Sequence, residues 1–195
     1  MQNRLVVGIS GASGAIYGIR LLEVLKQANV ETHLVISRAG ARTIAEETDR
    51  SINDVRQLAT VSYQVGDIGA AIASGSFQTL GMVVAPCSIK TAAEVAYGTT
   101  STLLSRAADV ALKERRRLVL LLRESPLHSG HLRMLTQLSD AGAIVAPPVP
   151  AFYARPNSLA DMVDHTVGRV LDLFGIETHL VRRWPGSSEA PTEAE

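Results

Sequence analysis

The chain has a single cysteine, no excess of either charge and no long apolar run among its 195 residues. One cysteine, Cys87, excludes an internal disulfide, which agrees with a reducing compartment. The 19 Lys+Arg balance the 19 Asp+Glu, so the chain as a whole lacks the basic surface that nucleic acid or anionic lipid requires. No run approaches the ~18 apolar residues of a membrane span, and no signal-type leader precedes the first strand. We expect a cytoplasmic protein with a small-molecule partner, no nucleic acid and no membrane.

Metal ligation is also not indicated. The histidines show no spacing such as H-E-x-x-H, so we expect no metal site. Those considered are His128, His131, His165 and His179.

Length and composition indicate one domain with a short tail. The chain is long enough for one sizeable core, and no Pro/Gly/Ser-rich linker divides it. From Pro185 to Glu195 there is no Leu, Ile, Val, Phe or Met, whereas Gly, Ser, Pro and three Glu are present. We therefore expect a folded domain over 1–184 and a disordered tail over 185–195.

Short apolar runs alternate with amphipathic stretches along the chain. The predicted strands cover 5–9, 32–36, 82–85, 118–122 and 143–146. The first predicted helix starts near residue 16, and the others cover 38–47, 89–97, 102–115, 131–141 and 159–174. Continuous apolar strands separated by helices are typical of parallel strands buried on both faces. The expected fold is α/β, a single-domain, doubly wound, Rossmann-like or flavodoxin-like sheet that is mostly parallel, with helices on both faces.

The first predicted strand leads into a glycine-rich turn, Gly-Ile-Ser-Gly-Ala-Ser-Gly over 8–14. Such a turn before a helix offers backbone N–H groups and the positive end of the helix dipole to an anion such as phosphate. The same pattern also occurs where a helix merely packs tightly against a strand. The spacing does not match G-x-G-x-x-G, and Ser37 ends the second strand where a ribose-binding acid is expected. A mononucleotide therefore fits better than a dinucleotide.

The carboxyl ends of the strands should face the ligand in such a sheet. The polar and glycine residues that follow them are Gly11, Ser13, Ser37, Ser88, Lys90, Thr91, Arg123 and Glu124. The hydroxyls of segment 85–91 suit a phosphate or ribityl chain, although Ser88 would serve equally as a helix N-cap. Arg123 can clamp a phosphate and Glu124 can carry a proton, unless the two form a structural ion pair.

Other candidate residues lie outside this rim. Arg106 and Lys113 are two helical turns apart on one face, so they either bind an anion jointly or stay solvated. The proline-rich stretch 146–156 is not an ordinary helix or central strand, and we expect it to present its two aromatic residues from a stiff extended loop. Arg169 interrupts the apolar stripe of the last helix and is equally ambiguous by itself.

Six separated segments together resemble the flavin prenyltransferase family, UbiX, over about 5–184. They are Gly-Ile-Ser-Gly-Ala-Ser-Gly at 8–14, Ser-Arg-Ala at 37–39, Ala-Pro-Cys-Ser-Ile-Lys-Thr at 85–91, Leu-Lys-Glu-Arg at 112–115, Arg-Glu-Ser-Pro-Leu at 123–127 and Pro-Pro-Val-Pro-Ala-Phe-Tyr at 147–153. The resemblance implies metal-independent transfer of the dimethylallyl group of dimethylallyl phosphate to N5 of reduced FMN, followed by ring closure at C6. The product implied is prenylated FMN for UbiD-type decarboxylases, and the assembly implied is a homo-oligomer, a dodecamer.

The resemblance also implies a role for individual residues. Those implied to bind FMN are Gly11, Ala12, Ser13, Ser37, Ser88, Ile89, Lys90, Thr91 and Arg123. Those implied to surround the prenyl phosphate are Arg106, Lys113, Glu124, Tyr153 and Arg169, with Trp184 from a neighbouring subunit. The implied catalytic residues are Ser13, Glu47, Glu124 and Lys113, of which the first two assist proton transfer beside the flavin. Fixed cations suit this chemistry, because metal-free ionisation of an allylic phosphate needs stabilised leaving charge.

Two other functions compete with this interpretation. A phosphopantothenoylcysteine-decarboxylase-like flavoprotein shares the general fold and FMN, but its Pro-x-Met-Asn motif is absent from this sequence. A non-catalytic flavin carrier would leave the cations Arg106, Lys113 and Arg169 without a role.

Overall fold

The chain divides into two compact units, 1–148 and 149–195. The structure, a computed structural model, describes residues 3–184 and 186. Apart from Gly186, the predicted tail at 185–195 lies outside the described residues, and the single domain over 1–184 stays a prediction. Within the part of the chain that is described, no helix is long and apolar enough to cross a membrane.

The first unit is built on a six-stranded sheet in the order β3-β2-β1-β4-β5-β6, with every neighbouring pair parallel. The strands are β1 (Arg4–Ile9), β2 (Glu31–Ile36), β3 (Val61–Tyr63), β4 (Gly81–Cys87), β5 (Arg117–Leu122) and β6 (Ala143–Val145). The helices are α1 (Ala15–Gln27), α2 (Arg38–Glu47), α3 (Ile52–Leu58), α4 (Ile89–Ala96), α5 (Leu103–Lys113) and α6 (Ser129–Asp140). The predicted doubly wound parallel α/β fold is confirmed.

The central strands are apolar because helices cover both faces of the sheet. All seven residues of β4 are buried, as are the last five of β1, β2 and β5. Strand β1 pairs with β2 on one side and β4 on the other, and the chain proceeds outward in both directions from this pair. The order of the strands therefore reverses between β1 and β4, and in such sheets ligands bind outside the carboxyl ends of the strands at this point.

Two elements are missing from the sequence prediction. Strand β3 is a three-residue edge strand with only one apolar aliphatic residue, so it has no run to recognise. Helix α3 starts with a reciprocal pair of hydrogen bonds. The Ser51 hydroxyl accepts from the Asp54 N–H at 3.1 Å, and the Asp54 carboxylate accepts from the Ser51 N–H at 3.0 Å. This reciprocal capping box is readable as Ser-x-x-Asp before the helix.

The second unit contains a 3₁₀ turn, Phe152–Ala154, and helix α7 (Leu159–Asp172). The Ser158 hydroxyl caps α7 by accepting from the Asp161 N–H at 3.1 Å. The prediction that the aromatic residues lie in an extended loop is wrong at the 3₁₀ turn. The prolines of the stretch flank this turn without entering it, so its N–H groups remain free to close it.

Candidate functional site

A cavity of about 520 Å³ lies at the carboxyl ends of β1, β2 and β4. Its wall includes five of the residues predicted to bind a cofactor, namely Gly11, Ser37, Ser88, Lys90 and Thr91. The side chains Val65 and Leu104 add apolar surface, and Ser101 and Thr102 add two more hydroxyls. The volume is in the range of small-molecule sites, about 300–1,000 Å³. Residues separated by some eighty positions in sequence thus meet in one cavity because parallel strands end at the same edge of the sheet.

The N-terminus of α4 forms one wall of this cavity. The Ser88 hydroxyl caps the helix by accepting from the Thr91 N–H at 3.2 Å, and the two hydroxyl oxygens are also 3.2 Å apart. The Lys90 ammonium pairs with the Glu94 carboxylate at 2.7 Å and is otherwise well exposed. Ile89 is partly buried and packs its side chain against the core. Hydroxyls, an ammonium and a helix N-terminus are suited to a phosphate.

The N-terminus of α2 forms a second wall. Here the Ser37 hydroxyl accepts from the Gly40 N–H at 2.9 Å, as an N-cap does. The hydroxyls predicted to bind a cofactor therefore also cap helices, and the two roles are compatible because a hydroxyl has both a donor and two acceptor sites.

The glycine turn after β1 differs from a bare phosphate loop. A Cβ atom on Gly11 would lie 2.2 Å from the Ala39 Cβ, so glycine is needed there for α2 to pack against the turn. The carboxylate of Glu47 receives hydrogen bonds from the Gly14 N–H at 2.8 Å and the Ala15 N–H at 3.0 Å. The anion at the start of α1 is therefore the Glu47 carboxylate of the protein itself. At Gly11 the glycine serves tight packing of a helix, as the alternative interpretation of the turn states. Ala12 lies in the same turn, half-buried.

The Glu47 carboxyl is held in its ionised form. Partial burial raises its pKa, but hydrogen bonds from the Ser13 hydroxyl and from the Ala15 and Gly14 N–H groups outweigh that effect. The charge of Arg123 lowers the pKa further, so the net value lies below the ordinary one. Glu47, Ser13 and Arg123 thus form one charged group at the rim.

Neutralising Glu47 should weaken the start of α1. In Glu47→Gln we expect a loss of about 0.3–1 kcal/mol at neutral pH, because a carboxylate interacts better than an amide with a helix N-terminus. Since the folded pKa is lowered, the wild-type advantage is complete above the unfolded value of about 4.3 and is lost as the pH falls through the folded value. Urea unfolding of both proteins from pH 7 to pH 3 measures it. A constant difference across that range would contradict this assignment.

The rim of β5 carries Arg123 and Glu124, both exposed. The Arg123 N–H donates to the Cys87 carbonyl at 3.0 Å, and the Glu124 carboxylate accepts from the Ser125 N–H at 3.0 Å. Among the contacts of the described residues the two side chains form no ion pair with each other, so the structural alternative for them is not observed. Cys87 is fully buried, and burial raises the pKa of its thiol to about 12, which keeps it protonated.

Arg106 and Lys113 are at opposite ends of α5 and have different partners. The Arg106 guanidinium donates to the Ala73 carbonyl at 3.2 Å and to the Asp109 carboxylate at 2.8 Å. The Lys113 ammonium pairs with Glu114. Seven residues of helix separate them by about 10 Å, and Lys113 lies at the amino edge of the sheet, just before β5 begins. A single chain therefore does not bring Lys113 to the rim, and no joint anion site of the two cations forms within it.

The second unit gathers the other predicted phosphate ligands on one face of α7. The Tyr153 hydroxyl lies 3.2 Å from His165 Nε2, and its ring meets the Trp184 ring edge-on at 5.9 Å. The Arg169 guanidinium donates to the Asp172 carboxylate at 2.7 Å. Burial and the nearby Arg169 charge lower the His165 pKa against the opposing effect of Asp172, which favours a neutral ring beside the Tyr153 hydroxyl.

Sequence reasoning missed three residues in these arrangements. His165 and Asp172 share a face of α7 with Arg169 at helical spacing, which is a signal readable from sequence. Ser10 is fully buried between β1 and β4 and has no such signal. Within the described residues no cluster of three or more His, Cys, Asp or Glu is placed to hold a metal.

A doubly wound sheet with a hydroxyl-lined cavity at its switch point defines an α/β protein that binds a phosphorylated cofactor. The family model described as Flavoprotein matches residues 1–171. The chain is 58% identical to Flavin prenyltransferase UbiX of Thauera aromatica over 186 residues, 95% of this chain and 96% of that one. It is also 58% identical to Flavin prenyltransferase UbiX of Escherichia coli K12 over 189 residues, 95% of this chain and 100% of that one.

Solved structures agree with these relatives. AnUbiX (PadA1), in complex with FMN and dimethylallyl pyrophosphate, superposes with a TM-score of 0.94 at 48% identity, covering 95% of this chain and 99% of that one. A dodecameric FMN-dependent UbiX-like decarboxylase from Escherichia coli O157:H7 gives 0.92 at 49% identity, covering 94% of this chain and 100% of that one. This chain belongs to the flavin prenyltransferase UbiX family.

Proposed function

We propose that this protein joins the dimethylallyl group of dimethylallyl phosphate to reduced FMN. The observation that supports this most directly is the cavity at the switch point, whose wall carries the residues that the family resemblance assigns to FMN. Three of its hydroxyls, from Ser37, Ser88 and Thr91, together with its ammonium and its two helix N-termini, match a phosphate and a ribityl chain. Val65 and Leu104 offer apolar surface to a ring. The donor set and the volume therefore fit FMN.

Reduced FMN, when bound, supplies the nucleophilic nitrogen and carbon that the prenyl group alkylates. We assign its phosphate to the cradle at Ser37, Ser88, Lys90 and Thr91, because Glu47 already holds the start of α1. Gly11 and Ala12 then face the flavin through backbone groups. The exposed Arg123 guanidinium, which follows β5, supplies a further cation to the bound cofactor.

The prenyl phosphate needs its own cations, because the leaving phosphate gains charge as the allylic bond breaks. We assign Arg169 and Tyr153 to this phosphate. The Asp172 carboxylate already holds the Arg169 guanidinium at 2.7 Å, and His165 Nε2 lies 3.2 Å from the Tyr153 hydroxyl. These contacts reduce the conformational entropy that the two side chains lose when the phosphate binds. Arg106 is assigned to the same substrate, although it must exchange its present partners to reach it.

A second copy of the chain is part of this proposal. Lys113 lies at the amino edge of its own sheet, and Trp184 is exposed, so both are available to a neighbouring subunit. We propose a homo-oligomer, a dodecamer as in the E. coli O157:H7 relative, in which these residues reach a neighbouring copy's site. Size measurement by light scattering, with and without FMN, tests this assembly.

Proton transfer is assigned to the charged group at the rim. An ionised Glu47 next to the Ser13 hydroxyl can accept a proton released from the alkylated flavin carbon. Glu124 follows β5 and is exposed, so it can carry a proton to or from the leaving phosphate. These residues act without a metal in this scheme, and activity should be unchanged by a chelator.

The test is the mass of the flavin after turnover. Protein, anaerobically reduced FMN and dimethylallyl phosphate are expected to yield a flavin heavier by one prenyl unit, while oxidised FMN should yield none. Running dimethylallyl pyrophosphate in parallel decides between the two donors, since the AnUbiX complex contains the pyrophosphate. Recovery of unmodified FMN alone would contradict the proposal and would favour a flavin carrier.

A second candidate function is decarboxylation, because the E. coli O157:H7 structure is described as a UbiX-like decarboxylase. Carbon dioxide released from an aromatic acid by the FMN-loaded protein alone would support it. Under our proposal, release occurs only when the modified flavin is passed to a UbiD-type decarboxylase, the partner that we infer. We place both proteins in the cytoplasm, where a free, unpaired Cys87 is in keeping with reducing conditions.

A further inference from the structure

Ser10 is a buried hydroxyl at the point where the strand order reverses. Its side chain is fully inaccessible to solvent. The hydroxyl donates to the Pro86 carbonyl at 2.9 Å and accepts from the Ser88 N–H at 2.8 Å. The Ser10 N–H also donates to the Pro86 carbonyl, at 3.2 Å. One side chain directly after β1 thus holds the backbone on both sides of Cys87.

The segment held in this way carries the α4 cradle. The Ser88 N–H donates to the Ser10 hydroxyl. The Ser88 hydroxyl, in turn, lines the cavity and caps α4. On the other side, the Arg123 N–H donates to the Cys87 carbonyl at 3.0 Å. The segment 86–88 is therefore fixed by a side chain just after β1 and by the backbone just after β5. Of these two supports, only the Ser10 hydroxyl can be removed by substitution.

We propose that Ser10 is a positioning residue for flavin binding, acting through Ser88 and Thr91. Its hydroxyl sets the direction of the Ser88 N–H and thereby the place of the Ser88 hydroxyl, which in turn fixes the first turn of α4. It also connects the start of α4 to the turn after β1, so Ser88 and Gly11 keep one relative position in the wall of the cavity. The proposal rests on the proposed function only in taking FMN as the ligand of this cavity.

Ser10→Ala removes one donor and one acceptor from a buried position. The Ser88 N–H then loses its partner and stays unpaired unless the backbone at 86–88 rearranges. We expect the Kd of the FMN complex to rise about tenfold or more, because that rearrangement displaces the Ser88 hydroxyl and the first turn of α4 from the flavin phosphate.

The matched control is Thr32→Val. Thr32 is another buried hydroxyl that accepts a backbone N–H, from Thr60 at 3.0 Å, but it lies at the amino end of β2, away from the cavity. Both variants should lower the melting temperature, whereas only Ser10→Ala should weaken FMN binding. The measurements are FMN titration by fluorescence quenching and the ³¹P chemical shift of the bound phosphate, which a loss of global stability would not move.

The outcomes separate the two proposals. Native FMN affinity in Ser10→Ala, or equal weakening in Thr32→Val, would overturn the role of Ser10 and leave the proposed function standing. A wild-type protein that binds no FMN would instead overturn the proposed function. Where Ser10→Ala does not fold, Ser10→Cys serves the same comparison, because a thiol is a weak donor and acceptor in nearly the same volume; native affinity in that variant would likewise overturn the role.

Discussion

Arg169→Ala is expected to lower kcat/KM for the prenyl phosphate by about 10²–10³-fold. A guanidinium stabilises the charge that develops on the departing phosphate, and removal of one such donor has effects of this order in other enzymes. The Kd for FMN should change by no more than about twofold, because the cradle residues lie at the starts of α2 and α4. Steady-state rates with varied prenyl phosphate, together with FMN titration, measure the two effects separately.

The control for Arg169 is Arg183→Ala. Both guanidinium groups pair with the Asp172 carboxylate, at 2.7 Å and 3.0 Å, and both are more than half exposed. A general loss of charge near Asp172 would therefore affect both variants equally, whereas we expect Arg183→Ala to retain kcat/KM within about threefold. Weakened FMN binding with unchanged prenyl-phosphate kinetics in Arg169→Ala would reverse the assignment.

Gly18→Ala is expected to destabilise the protein by about 3 kcal/mol, the upper end for overpacked cores. An added Cβ would lie 2.2 Å from the Ala85 carbonyl oxygen and 2.8 Å from Ile9, so α1 must move away from β1 and β4. The better helix propensity of alanine, about 1 kcal/mol, does not offset this contact. For a chain of this size the melting temperature should fall by about 6–12 °C, which calorimetry measures.

Gly69→Ala is the matched control, because an added Cβ there meets only the Asp67 carboxylate, at an ordinary 3.7 Å. It should change the melting temperature by no more than about 2 °C. In Gly18→Ala we also expect weaker FMN binding, since the Ala85 carbonyl directly precedes the segment that Ser10 holds. A Gly18→Ala protein as stable as the wild type would show that α1 can shift without cost.

Much of the fold was predictable from local pattern. The runs at 5–9 and 118–122 have no polar side chain and the run at 32–36 ends in three apolar residues, a pattern that a sheet covered on both faces accommodates. Helix α2 begins and ends where its pattern predicts, at Arg38 and Glu47. The edge strand β3 was not predictable, because an edge strand buries too little to need an apolar run.

The candidate site was predictable in part. The rule that ligands bind at strand carboxyl ends selects Ser37 and Ser88 from sequence alone, and both line the cavity. The same rule cannot show that Glu47, over thirty residues further on, returns to cap the turn at Gly14. It also cannot show that Lys113 ends α5 at the opposite edge of the sheet.

The sequence by itself determined the class of fold, the end of the sheet at which the candidate cavity lies and the family, since these follow from periodicity and from short motifs. Only the tertiary structure decided which anion occupies the start of α1, which glycines are needed for packing and what Ser10 does. Those properties depend on distances between groups that are remote along the chain, such as Gly11 and Ala39 or Ser10 and Ser88. Such distances are set by how helices pack on the sheet, and no local pattern of residue types records them.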